Sequence, residues 1–436
     1  MRTPEIRLFA ACAAAALLCS LLPPTVHAQA AAAAASAPAS APQELLRPAI
    51  AAPVQAAVEL LKARRFQEAL AKVADAEQVP DRSAYENFVL DQLRGGAESG
   101  AGDNATALRS FEAVVTSGRL APSETLKIVE GLAGTSYRMK DYARAAKWAR
   151  RYLHDGGQNP HVRQLLAGAL YQQSDYSGAA QTLQALVGAD IAAGSAPAEE
   201  ALRLLAASQA KQGDDKGYRH TLDQLLRYHP SAAYWRERIQ RLQRESGFDP
   251  LLLVDSYRLL FAVGAMQDAP EYTSLAELAL QANLPAEARA VLDTGFAAGV
   301  LGAGPDAATH LALRQRVDKL AADDAKQLAR APDPGPDASA DLRVATGLAL
   351  ATEGHTERGI ALVEQGLAQG HLTQPAKVRL RLAWISAQAG RTDAARAILQ
   401  SLQGRDDSLG EIARLWLIYL DGPADAAAPA ASAASH

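Results

Sequence analysis

Shifted by 34 residues, part of this chain falls onto itself: Leu132 meets Leu166, Ala133 meets Ala167, Gly134 meets Gly168 and Tyr137 meets Tyr171. Further along, Asp141, Tyr142, Ala145 and Ala146 meet Asp175, Tyr176, Ala179 and Ala180. A fixed period of this length means stacking of one supersecondary unit, no copy of which buries its apolar face alone. That unit is helical. Apolar residues recur at three- and four-residue spacing in segments of about 12 to 16 residues, broken by Gly, Pro or Asp. Sustained alternation of β-branched residues is missing. The expected fold class is all-α, a superhelix (α-solenoid) of antiparallel helix pairs.

Two antiparallel helices approach closely only where side chains are small. Ala133 with Ala145, and Ala167 with Ala179, give each helix of a pair one such residue. Enlarging one is expected to cost about 1–3 kcal/mol by overpacking. The same turn followed by a small residue recurs at Ala69, Ala107, Ala288, Gly359 and Ala395. With Tyr142 and Tyr176 opening the second helices, these residues resemble the tetratricopeptide repeat. The resemblance implies roughly eight to ten stacked pairs with an extended concave surface. It also implies that first helices line the groove, which puts Lys127, Glu130, Tyr137 and Arg138, then His161, Gln164, Tyr171 and Gln172, on a partner-binding face. Tyrosine suits such a face because it buries area and keeps a hydroxyl, although packing between repeats would use it equally well. Gly134 and Gly168 stand where chaperone-tail-binding tetratricopeptide domains carry a clamp asparagine, so the resemblance implies no grip on a free acidic C-terminus.

The ends carry a different composition. Arg2 and Arg7 precede the apolar run Leu8 to Leu22 and the small-residue site Val26-His27-Ala28, the pattern of a signal peptide over residues 1–28 cleaved after Ala28. Residues 29–53, rich in Ala, Pro and Ser, read as a linker, and 422–436 as a disordered tail. Between them, 54–229 is expected to hold the clearer repeats and 230–421 degenerate ones. Both cysteines, Cys12 and Cys19, leave with the signal, so the mature chain is expected to be free of disulfides and of cysteine metal sites. A formal net charge of −4 argues against nucleic acid, which selects a basic footprint. No span is expected after signal removal, since Asp255 and Arg258 break the longest later apolar run. The expected location is the periplasm.

One stretch, Arg244 to Pro250 ("RESGFDP"), resembles the catalytic opening of lytic transglycosylases, with Glu245 as the acid. The match departs from that family where a serine should follow nine residues on, at Val254, and where its glutamine should fall, at Val263. Gly247 as a helix stop, Asp249 as N-cap and Pro250 at the first helical position read instead as a junction. A broader likeness covers Tyr234 to Ile239, Val254 to Met266 and Glu271 to Gly302. These segments resemble exported tetratricopeptide proteins encoded beside TonB–ExbB–ExbD systems. The resemblance implies a non-catalytic accessory of envelope energy transduction, with TonB, ExbB or ExbD-type components as partners. A scaffold for envelope polysaccharide or wall assembly is the alternative within the same class.

No metalloprotease, phosphate-loop or nucleophile-elbow motif occurs, and neither cofactor nor metal is expected. The histidines are scattered, with His154 and His161 on either side of a break. Arg236, Arg238, Arg241 and Arg244 form a helical stripe that reads as a solvated face balanced by Glu237 and Glu245, or as a patch for an anionic partner.

Overall fold

A computed structural model describes residues 44–330 and 332–422. The proposed signal peptide, most of the proposed linker and nearly all of the proposed tail lie outside them. The described residues hold twenty α-helices and one short 3-10 turn, with no strand. None of these helices is long and apolar enough to cross a membrane. The chain divides into two compact units, one ending at Asp214 and the other beginning at Asp215.

The N-terminal unit contains α1 (Pro48–Lys62), α2 (Phe66–Glu77), α3 (Ala84–Ala101), α4 (Asn104–Thr116), α5 (Pro122–Arg138), α6 (Tyr142–His154), α7 (Pro160–Gln172), α8 (Tyr176–Ala192) and α9 (Glu199–Gln212). Each packs on the next, and α1, α5 and α7 also touch the helix after next. A single apolar core runs from Ile50 to Ala179. The pairs close on fully buried alanines: Ala69, Ala133, Ala145, Ala167 and Ala179 have no exposed area, and Ala107 is nearly as enclosed. Turns within pairs repeat one device. Lys140 and Ser174 adopt left-handed conformations, with φ of 61° and 63°. The next residues, Asp141 and Asp175, accept from the backbone N–H of Arg144 at 3.1 Å and Gly178 at 2.9 Å. Asp103 caps α4 in the same way, through Thr106 at 3.2 Å. Each carboxylate satisfies an N–H that a helix start otherwise leaves open.

Helix α1 corrects the linker reading, since residues 48–53 are its first turn and a half. Pro48 occupies the first helical position, where its missing N–H costs nothing. Pro53 forgoes one bond inside the helix, and burial of Ile50, Val54 and Ala57 outweighs that loss.

The C-terminal unit contains α10 (Asp215–Tyr228), α11 (Ala232–Gln243), the 3-10 turn Pro250–Leu252, α12 (Leu253–Ala262), α13 (Ala269–Gln281), α14 (Pro285–Ala297), α15 (Ala307–Arg330), α16 (Ala340–Thr352), α17 (Thr356–Gln369), α18 (Pro375–Gln388), α19 (Thr392–Leu402) and α20 (Ser408–Asp421). The expected boundary at 229 is displaced, because α10 packs with α11 and α20 and Leu226 joins the second core. Here too small residues seat the pairs. Ala288 and Ala395 are fully buried. At α16 and α17 the backbones themselves meet: a Cβ on Gly359 would lie 2.4 Å from the Gly347 carbonyl oxygen, and one on Gly347 would lie 2.6 Å from that of Gly359. Unlike the first unit, this one returns on itself. Helix α20 packs on α10, α12 and α18, so its first and last helices are neighbours.

Candidate interaction surfaces

On α5 and α7, Lys127, Arg138, His161 and Gln172 are exposed, whereas Glu130, Tyr137, Gln164 and Tyr171 are half-buried. The exposed four stand in register, 127 with 161 and 138 with 172, one repeat apart. Glu130 is engaged: it accepts from the Asn159 side chain at 2.8 Å, and Asn159 in turn caps α7 through the His161 N–H at 3.0 Å. Tyr137 meets Tyr142 edge-on at 5.5 Å and 71°, and Tyr171 meets Tyr176 at 5.2 Å and 67°. Tyr137 also crosses to the next pair, since a Cβ on Gly168 would come within 2.8 Å of its hydroxyl. Burial pushes the Tyr137 phenol above its ordinary range, with Tyr142 adding to the effect. Each tyrosine therefore packs with one face, and Gly168 is small because Tyr137 needs the room.

The sequence reading missed a repeated clamp beside these rings. The Gln173 side-chain amide donates to the Tyr142 carbonyl at 3.1 Å and to that of Ala169 at 3.0 Å. Gln212 does the same toward Tyr176 at 3.0 Å and Ser208 at 3.2 Å. Each amide ties the end of one first helix to the start of the preceding second helix. The signal was within reach, because the shift of 39 residues that aligns Ser174 with Gly213 also aligns the glutamines.

In the C-terminal unit the conspicuous chemistry is buried. Arg258 forms a two-pronged pair with Glu287, at 2.8 and 2.7 Å, and a third bond to Asp255 at 2.9 Å. Its guanidinium carbon sits 3.9 Å from the centre of the Trp384 ring. Arg381 reaches the same Asp255 at 3.3 Å. Burial works against the Arg258 charge, but Glu287 and Asp255 together hold its pKa above the ordinary arginine range. Arg238, 1% exposed, donates to Asp223 at 2.8 Å and pairs with Glu411 on α20. Burial pushes the Asp223 carboxyl up even beside this cation.

The arginine stripe is therefore a solvated face only in part: Arg244 is exposed and Glu237 balances Arg241 as expected, while Glu245 pairs elsewhere. Arg238 is enclosed, Arg236 pairs with Asp268 and Glu271, and Arg241 pairs with Glu237 while stacking on Tyr218 at 4.1 Å. Several residues within the segments resembling the TonB-associated proteins, among them Trp235, Arg238, Asp255, Arg258 and Glu287, are buried in this unit.

Glu245 lies in an open pocket of about 550 Å³ lined by Asp215, Arg219, Glu237, Arg241 and Arg244. Its carboxylate pairs with Arg219. The flanking stretch is a junction: α11 ends at Gln243, and Asp249 caps the 3-10 turn through the Leu251 N–H at 3.0 Å, with Pro250 first. Gly247 departs from its expected role, since the helix stops before it and it takes no left-handed conformation. Instead its carbonyl accepts from Ser408 Oγ at 3.3 Å. Among the described residues, no group of three His, Cys, Asp or Glu side chains gathers to hold a metal ion.

No family model matches the sequence, and no curated protein matches it. Among solved structures, the chain is similar to a tetratricopeptide repeat protein from Parabacteroides merdae, at 12% identity over 77% of this chain and 98% of that one, with a TM-score of 0.30. It is similar to PilF of Pseudomonas aeruginosa at 19% identity over 44% of this chain and 97% of that one, with a TM-score of 0.23. A third likeness is to the TPR2AB domain of yeast Sti1 in complex with pHSP90, at 13% identity over 69% and 99% of the two chains, with a TM-score of 0.24.

Proposed function

We propose that this protein is a non-catalytic, exported scaffold that holds a protein partner along the first helices of its N-terminal unit. In this reading it acts in the periplasm as an accessory of a TonB-type energy-transduction system. The observation that carries the scaffold reading is the exposed row Lys127, Arg138, His161 and Gln172, presented in register by two consecutive pairs. Their frame is held by its own caps, alanines and glutamine clamps, so the exposed side chains are left for contact. Repeat surfaces of this kind add many modest contacts, with a few anchors dominating. The ion pair between Glu245 and Arg219 speaks against a lyase centred there. The TonB assignment rests on the sequence resemblance alone.

Crosslinking in intact envelopes, followed by capture of the tagged chain, tests both layers. The expected result is recovery of a TonB-, ExbB- or ExbD-type component, lost in Arg138→Glu/Gln172→Ala and retained in Glu245→Gln. Tyr137→Ala/Tyr171→Ala separates anchoring from packing: loss of capture by about 2–4 kcal/mol with unchanged unfolding makes the tyrosines anchors. Parallel loss of fold makes them packing residues. Release of muropeptides from sacculi by wild type but not by Glu245→Gln would replace the scaffold with an enzyme. Intact mass is expected to start at Gln29, without lipid.

A further inference from the structure

Helix α6 holds four Lys or Arg residues, Arg144, Lys147, Arg150 and Arg151, and no Asp or Glu. Two of the four are neutralised by neighbours. Arg144 lies 3.5 Å from both Glu112 and Asp141, and Arg151 pairs with Asp155. Those carboxylates are otherwise engaged as well: Glu112 accepts from Trp148 Nε1 at 2.9 Å, Asp141 caps α6, and Asp155 also meets His154 at 3.0 Å. Lys147 and Arg150, three residues apart and so on one helix face, are exposed. Lys140 is exposed in the turn leading into α6. Among the described residues, no carboxylate pairs with any of these three. One repeat later, the equivalents of Lys147 and Arg150 are Gln181 and Gln184, exposed and uncharged. The surplus is thus particular to this face and not a property of the repeat.

The setting selects the kind of partner. A protein interface draws its affinity from aromatic or arginine anchors seated in desolvated pockets. This face offers none: Ala143 precedes the cations on the same stripe, and Trp148 is buried beneath Lys147, whose ammonium lies 5.0 Å from the ring centre. Exposed point charges on a helix surface instead suit a dense array of negative charge, which they attract without close shape matching. We propose that the Lys147–Arg150 face of α6, with Lys140 in the turn before it, docks on the anionic headgroups of a bilayer. The docking is peripheral and reversible, and it does not depend on the groove of α5 and α7.

Flotation of the mature chain, from Gln29 on, with vesicles tests this, comparing phosphatidylglycerol mixed into phosphatidylcholine with phosphatidylcholine alone at low salt. The chain is expected to bind the anionic vesicles preferentially and to release as salt approaches about 0.5 M, where screening shortens to a few ångströms. Lys147→Glu/Arg150→Glu is expected to bind about tenfold more weakly or worse, and Lys147→Gln/Arg150→Gln to fall between it and wild type. Arg203→Glu/Lys211→Glu, exposed cations on α9, is expected to stay within about twofold of wild type. Equal binding to both vesicle types, or wild-type binding by the charge-reversed variant, overturns the proposal. So does capture of polyglutamate with the vesicles ignored, which would make the partner an acidic polypeptide. Loss of capture in the envelope crosslinking experiment with vesicle binding intact would fault the groove and leave this face standing.

Discussion

In residues 44–214 no guanidinium is enclosed among the described side chains: the buried Glu86 pairs with Arg47, which is 44% exposed, and the buried Glu98 accepts from the Ser110 hydroxyl at 2.7 Å. In residues 215–422 whole guanidinium groups are enclosed, with Arg238 and Arg258 only 1% and 3% exposed. The reach of the bonds differs in the same way. Gln173 and Gln212 clamp across 31 and 36 residues, about one repeat, while Arg381 to Asp255 spans 126 and Arg238 to Glu411 spans 173. A ladder of pairs can be held by nearest neighbours alone. A unit that closes on itself must specify one registration of distant helices, and buried ion pairs serve that end because a misplaced charge is costly.

The largest test of this contrast is Arg258→Ala, which leaves Asp255 and Glu287 buried with only Arg381 nearby. Removing one partner of such a network is expected to cost about 3–5 kcal/mol. Hydrogen exchange should show α12, α14 and α18 losing protection while α5 to α8 keep theirs. Equal loss in both units would break the distinction between them. Next in size is Ala133→Leu, expected to destabilise the N-terminal unit by about 1–3 kcal/mol, read as a lower denaturant midpoint for that unit. Acid should act on the first unit most strongly at Glu86. The Arg47 guanidinium, with help from the Ser83 and Arg47 backbone N–H groups and against the effect of burial, holds Glu86 down to about 2. A carboxyl depressed on folding stabilises above its ordinary range, and that contribution is lost as pH falls from about 4.5 toward 2. Unfolding against pH should therefore steepen in that window, and Glu86→Gln should flatten it. The smallest effect belongs to Gln173→Ala, about 0.5–1.5 kcal/mol; calorimetry of this variant beside Gln212→Ala would sharpen the picture of repeated, interchangeable clamps.

What the sequence made legible was local. The 34-residue shift, the match of Asp141 to Asp175 and the small residues at Ala133 and Ala145 all lie within one repeat of each other, so their spacing carries the geometry. Helix α1 is hidden in the sequence because Pro48 and Pro53 look like breakers, whereas Pro48 stands at a first position that tolerates it. The closure of the second unit left no periodic trace, since nothing in the neighbourhood of Arg238 marks Glu411 as its partner. Asp255 and Arg258 interrupt an apolar run in the sequence, where nothing marks the network they build from three helices. The candidate groove was legible as a register of positions, while the division into packed and exposed members required the rings of Tyr137 and Tyr171 to be placed.

The bond from Arg238 to Glu411 also bears on the order of assembly. A chain emerging N-terminus first can dock α4 as soon as α3 is out, and each later pair finds its platform waiting. Helix α11 meets a different schedule. Until α20 emerges, Arg238 has Asp223 but lacks Glu411, and the α10 surface that α20 covers stays open. Such long-range closure is slow and leaves apolar surface uncovered meanwhile. A chain truncated before Ser408 would carry that exposure permanently.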